Sequence, residues 1–292
     1  MTDGDGSDEP GDGSGDGADP RHHHWIRIAL LAVAAVVVLG GVYTVGRYVF
    51  RSHPGAKSID SAVDDLRASS SLDASNPTGF TRPAEGIYEA AGQGSEHISA
   101  PPNSQDDGAV MPITVRWLPD GCWNWHIDYN RAHWHEFDYC PKGSELFLVA
   151  QRNYQAWDFG AMKVDNLGVY TCDPPAPIVV EDPRPGQTFE HHCTGENSAA
   201  PGPSTSAGPS TIVGTETLTI GGTEVAAIHQ TRAQKMTGAQ VGDVTEDWWF
   251  AADTGLPLRA ERRYKLDTQS VIGNITYTEQ GSWQLTSLEP RT

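Results

Sequence analysis

The chain lacks the short motifs that would identify a reaction. It contains no HExxH for a zinc hydrolase, no GxSxG for an acyl-transfer serine, and no GxxxxGK[ST] or GxGxxG for a nucleotide. Basic residues are scarce: 20 Lys and Arg stand against 38 Asp and Glu, a formal net charge of -18. No basic face large enough to follow a phosphate backbone is available, so nucleic acid is excluded as a partner. There are only four cysteines, none before Cys122, and no CxxC pair. That spacing argues against a zinc ribbon and for disulfides in an oxidising compartment.

What is present is arranged in blocks. Residues 1–24 are rich in Asp and Gly with almost no apolar side chains, and such a segment cannot bury enough surface to offset its ordering entropy. It is expected to be a disordered acidic tail. Residues 25–50 contain IALLAVAAVVVLGGVYTV, an uncharged run from Ile28 to Val45. As a helix it would extend about 27 Å, near the hydrocarbon thickness of a bilayer, so a single transmembrane helix is expected. Flanking charge is nearly balanced and does not orient it. The cysteines all follow the run, which places the tail in the cytoplasm, the anchor in the plasma membrane and the remainder outside.

Residues 51–82 read as a spacer, with Ile59, Val63 and Leu66 at the spacing of one short helix. From 83 to 292 the pattern becomes short runs of Val, Ile, Thr, Tyr and Trp broken by Gly and Pro. Gly221-Gly222 predicts a hairpin, and Asp253 to Gly255 a second turn. The expectation is an all-β extracytoplasmic domain of about a dozen antiparallel strands. One segment, 196–210, is so rich in small and polar residues that a mobile loop is expected there.

The densest stretch is CWNWHIDYNRAHWHEFDYC, Cys122 to Cys140. Sequential pairing of the cysteines, Cys122 with Cys140 and Cys172 with Cys193, is preferred among three connectivities. With Cys122 opposite Cys140, residues whose numbers sum to 262 face one another and the turn falls at Asn130 to Ala132. One face then carries Trp123, Trp125, Ile127, Tyr129, His133, His135, Phe137 and Tyr139; the other carries Asn124, His126, Asp128, Trp134, Glu136 and Asp138. Trp123, Trp125, Tyr129, His133, His135, Phe137 and Tyr139 are the candidate binding residues.

The same residues offer other chemistry. His133 and His135 share a strand face and could ligate a metal with His191 or His192 as a third ligand, but a core rim accounts for them equally well. No metal and no cofactor is expected. Asp128, Glu136 and Asp138 share a face, as solvated carboxylates commonly do, so no catalytic residue is assigned. Arg259, Arg262, Arg263 and Lys265 form the one basic patch and are expected as solvated positions on a strand.

The set GIYEAAGQGSEHIS, LPDGCWNWHIDYNRAHWHEFDYC, NYQAWDFG, YTCDPP, HHCTGENS, IGGTEVAAIHQT and DWWFAADTGLPLRAER resembles a family of single-pass membrane proteins from actinobacteria. That resemblance implies a Gram-positive cell-envelope setting and carries over no catalytic residue. The C-terminal half, in the order of its hairpin and final strands, is similar to the curved half-barrel of lipoprotein-carrier and envelope lipid-binding proteins, without their long helix. The resulting expectation is a curved antiparallel sheet or half-barrel that binds an apolar or amphipathic ligand and is not an enzyme. An envelope lipid or another envelope protein is the expected partner. A structural or protein-interaction module with a filled core is the alternative, and an envelope enzyme the third; buried carboxylates or histidines clustered at a cleft would favour the last.

Overall fold

A computed structural model describes residues 33, 36–41, 54–69, 79–160, 162–270 and 273–292. The chain forms two compact units, Met1–Arg51 and Ser52–Thr292. In the first, residues 33 and 36–41 of the apolar run are helical. Among the described residues no helix is long and apolar enough to cross a membrane. Most of the expected transmembrane segment, and all of the acidic tail, lie outside the described residues.

The second unit begins with helix α1, Ile59–Ala68, at the position expected from Ile59, Val63 and Leu66. The Ser58 hydroxyl caps it by accepting from the Ser61 N–H at 3.2 Å, satisfying one of the orphan donors of its first turn. Ile59, Ala62 and Val63 pack on Ile87 of the following sheet. Lys57 contacts Asp65 at 3.0 Å and Asp128 at 3.1 Å, so this part of the spacer is docked on the β domain.

Among the described residues thirteen antiparallel strands follow. They are β1 Gly86–Ser99, β2 Pro102–Asp106, β3 Val110–Trp117, β4 Trp123–Asn130, β5 His133–Lys142, β6 Glu145–Asp158 and β7 Lys163–Val179. Then come β8 Thr188–Asn197, β9 Ala200–Ile220, β10 Thr223–Gly238, β11 Gln240–Ala251, β12 Pro257–Ser270 and β13 Gly273–Leu285. The sheet runs in sequence order from β3 to β13, and β1 closes it. Residues Gly86 to Ala91 of β1 pair with β3, while Ala90 to Ile98 pair with β13. The short β2 continues the β3 side alongside Ser95 to Ser99. The expected half-barrel is therefore a closed barrel of twelve strands, with β2 as an extension. Pairing of β1 with β13 removes the edge that β13 would otherwise present, the usual liability of an open sheet.

The hairpin register of β4 and β5 follows the sum-to-262 rule from Trp123↔Tyr139 to Asp128↔Trp134, and a bulge then brings Asn130 opposite His133. Gly221 and Gly222 form the tight turn between β9 and β10 with φ of 57° and 87°, a conformation open mainly to glycine. Both expected disulfides are formed, Cys122 to Cys140 and Cys172 to Cys193.

Segment 196–210 departs from expectation. Its residues from Ala200 onward are strand, paired on both sides with β8 and β10. Ser204, Ser206 and Ser210 point inward and are buried. A Cβ at Gly208 would lie 2.3 Å from the Ala233 carbonyl oxygen, so part of the composition that reads as a loop is a packing constraint between neighbouring strands. Arg262 also departs: it is 5% exposed, inside the barrel, and not on a solvated basic face.

An eight-stranded barrel is just filled by its own side chains, so twelve strands enclose more room than ordinary packing closes. Aromatic rings fill one end. Trp125 lies 5.4 Å from Trp283 and 5.8 Å from Trp248 between ring centroids; Trp123 lies 4.7 Å from Tyr139, and Phe137 5.5 Å from Trp248. Trp123, Trp125 and Tyr139 are wholly buried.

Candidate ligand cavity and buried charge cluster

The opposite end holds a cavity of about 400 Å³. Its apolar wall comes from Ile98, Trp157, Met162, Val164, Met236, Val244, Leu266 and Ile275. These side chains sit near the turns joining β6 to β7, β10 to β11 and β12 to β13, which places the cavity at that rim. Amides are set into the wall. Asn197 Nδ2 donates to Gln240 Oε1 at 2.7 Å, and Gln155 Nε2 donates to the Tyr277 hydroxyl at 2.9 Å. His135, Phe137, Tyr264, Tyr277 and Glu246 also line it.

Behind the cavity lies a cluster of charged groups shut away from solvent. Arg262 donates through Nε to Glu279 Oε1 and through Nη2 to Asp107 Oδ2 at 2.5 Å. Its guanidinium also lies 3.6 Å above the Tyr129 ring. The Tyr277 hydroxyl is 2.8 Å from Glu96 Oε2 and 2.6 Å from Glu279 Oε2. A phenol has one proton to donate, so the two carboxyls cannot both be ionised acceptors. Burial, and then the charge on Glu279, push the Glu96 carboxyl well above the usual range. Burial also acts against ionised Glu279, but Arg262 beside it outweighs that and holds it at about 2. Glu96 is therefore the protonated member.

The hairpin histidines join this cluster. His133 Nδ1 faces Glu96 Oε1 at 3.5 Å, and His133 Nε2 lies 3.4 Å from His135 Nε2 and 3.9 Å from Glu279 Oε1. His135 stacks on Tyr264, with centroids 6.0 Å apart. Burial lowers both histidines, His133 to about 3, so both rings are neutral. A second cluster surrounds the inner disulfide. There His191 Nε2 lies 3.0 Å from Cys193 Sγ, and burial lowers His191 to about 3.

Of the seven candidate binding residues, His135 and Phe137 line the cavity. Trp123, Trp125, Tyr129, His133 and Tyr139 are buried in the barrel interior. His191 lies by the disulfide, and His192 bonds the Asp173 carbonyl at an exposed site, so neither stands with His133 and His135. Sequence reasoning missed Glu96, Asp107, Arg262, Tyr277 and Glu279. The alternation along β12 and β13 could have shown that Arg262 and Glu279 share the inner face with Ala260, Tyr264, Tyr277 and Trp283, since each is an even number of residues from its neighbours.

On the outer face of the hairpin, Asn124 Nδ2 donates to Asp138 Oδ1 at 2.7 Å. Arg152 bonds both Glu136 at 2.7 Å and Asp138 at 2.9 Å. His126 lies 3.2 Å from Asp128 and 3.3 Å from Glu136. These carboxylates are neutralised on a half-buried surface, as structural groups are.

No protein-family model and no curated protein matches the chain. Among solved structures, it is similar to the hypothetical lipoprotein YmcC from Escherichia coli K12. That match has a TM-score of 0.30 and 11% identity, covering 78% of this chain and 97% of the other. These comparisons give no support for assignment to an actinobacterial family.

Proposed function

We propose that the protein is a binding module of the cell envelope that takes an apolar or amphipathic ligand in the barrel cavity and performs no catalysis. The observation that carries this reading is the cavity itself: about 400 Å³, with a largely apolar wall and a few fixed amides. Ligand sites are usually apolar clefts of roughly 300–1,000 Å³ with a small number of placed polar groups. Two disulfides support an oxidising compartment outside the cytoplasm. The apolar run of residues 28–45 has the length to anchor the chain there. In this reading the acidic tail is cytoplasmic and the barrel faces outward.

The buried carboxylates and histidines behind the cavity favour a catalytic reading, the arrangement that would revive an enzyme. Access weighs against it. Glu96 and Glu279 are buried at 1% and 2% exposure. Glu246, the carboxylate among the described residues that line the cavity, is held by the Tyr264 hydroxyl and by Trp248 Nε1. Among the described residues that line this cavity, no carboxyl is left free to meet a substrate.

The test is native mass spectrometry of the full-length protein in detergent, with solvent extraction of whatever co-purifies. A bound apolar molecule is expected, and Val244→Trp, which fills the cavity, should abolish it while the protein stays folded. A clean apo mass with no uptake of offered fatty acids or phospholipids would move the reading to a structural or interaction module.

A further inference from the structure

The geometry points to a site for one divalent transition-metal ion, zinc fitting best, held by His133 Nε2, His135 Nε2 and a Glu279 carboxylate oxygen at the cavity floor. The three ligand atoms lie within 4.8 Å of one another, and all three residues are buried. The two imidazole nitrogens are 3.4 Å apart. A tetrahedral ion with metal–nitrogen bonds of about 2.0–2.1 Å sets two such ligands about 3.3–3.4 Å apart. With no ion between them, 3.4 Å is long for a direct hydrogen bond between the rings.

The surroundings are those of a ligand held in place. His133 Nδ1 and Glu96 Oε1, 3.5 Å apart, face each other and have no hydrogen-bond partner among the described residues. A metal-bound histidine commonly turns its far N–H to a carboxylate, which fixes the tautomer with its lone pair on the ligating nitrogen. Charge favours the same occupant. With Glu96 protonated, the Asp107 and Glu279 carboxylates are enclosed with a single guanidinium, Arg262, and a cation offsets the negative charge left over. Glu279 keeps its Arg262 contact, since a carboxylate has lone pairs enough to ligate and accept at once. Two imidazoles and one carboxylate leave a fourth position open, and His135 is the histidine of the set that lines the cavity. Cys172, His191 and Cys193 also lie within ligating distance of one another, but both sulfurs are tied in the disulfide. The metal site stands whether or not the cavity takes an apolar ligand.

Full-length protein stripped with a chelator and titrated with Co²⁺ tests the site. One equivalent should bind with the intense visible absorption of four-coordinate cobalt, and Zn²⁺ should displace it. His133→Gln and His135→Gln should each weaken uptake by more than about 100-fold, and His191→Gln should leave it unchanged. X-ray absorption of the zinc-loaded wild type should give nitrogen and oxygen neighbours and no sulfur, a result independent of whether the variants fold. Absence of stoichiometric uptake by the folded protein, loss of uptake in His191→Gln alone, or sulfur in the first shell would overturn the assignment.

Discussion

Arg262 Nη2 lies 2.5 Å from Asp107 Oδ2 inside the barrel, joining β12 to the segment between β2 and β3 across 155 residues of sequence. Two glycines make room for this contact. A Cβ at Gly94 would lie 2.0 Å from Asp107 Oδ2, and one at Gly281 would lie 2.7 Å from Arg262 Nη1. The ion pair and the sheet that closes around it are therefore one packing solution.

Arg262→Met should destabilise the protein by about 3–5 kcal/mol, because it leaves buried carboxylates without their cation. Gly94→Ala should also destabilise it, by displacing Asp107 from the pair. Urea unfolding followed by tryptophan fluorescence measures both. A midpoint unchanged in either variant would show that the cluster is not packed as described.

Trp125 touches Phe137, Trp248 and Trp283 and has no exposed surface. Trp125→Ala is expected to cost about 3–5 kcal/mol, the usual loss for a large buried aromatic. Wild-type stability in this variant would place the ring on the surface and reopen the hairpin as a contact face.

The two disulfides should differ in how readily they are reduced. Cys122 and Cys140 are half-buried on the outer face, whereas Cys172 and Cys193 are buried at 4% and 0% exposure. Mild reductant followed by alkylation and peptide mapping should label the first pair in the folded protein and the second only on unfolding. Full reduction should lower the melting temperature, since each such bond commonly contributes about 2–4 kcal/mol. Labelling of all four cysteines in the untreated native protein would refute both bonds.

His126 should make stability depend on pH. Burial alone would lower its pKa, but hydrogen bonds to Asp128 and Glu136 outweigh that and raise it above 6.5. Those carboxylates also face Lys57 and Arg152, which stay charged throughout this range. A raised folded-state pKa contributes stability that is fully present below the unfolded value and lost as pH rises through the folded one. The difference in unfolding free energy between wild type and His126→Gln should therefore shrink as pH is raised from about 6 upward. A difference that grows with pH would reverse the assignment.

The cavity and charge cluster were only partly legible beforehand. His133 and His135 were visible as a same-face pair because a strand alternates with period two. Their neighbours were not, since Glu279 comes from β13 and Glu96 from β1. Nothing local marks either as internal; each reads as an ordinary strand carboxylate in an acidic chain. Segment 200–210 failed in the opposite direction, because serine and glycine serve the buried face of a strand as readily as a loop.

By itself the sequence determined the features that local chemistry controls: the period-two strands, the Gly221-Gly222 turn, the short helix at Ile59, and a preference for the sequential cysteine pairs with the hairpin register they imply. Those follow from backbone preference and from contacts between nearby residues. Tertiary structure alone decided that the sheet closes, that Arg262 faces inward, and that the aromatic hairpin fills one end while a cavity remains at the other. Closure is the pairing of β1 with β13, a contact between the two ends of the domain. No local propensity encodes that pairing, and every burial along the remaining strands depends on it.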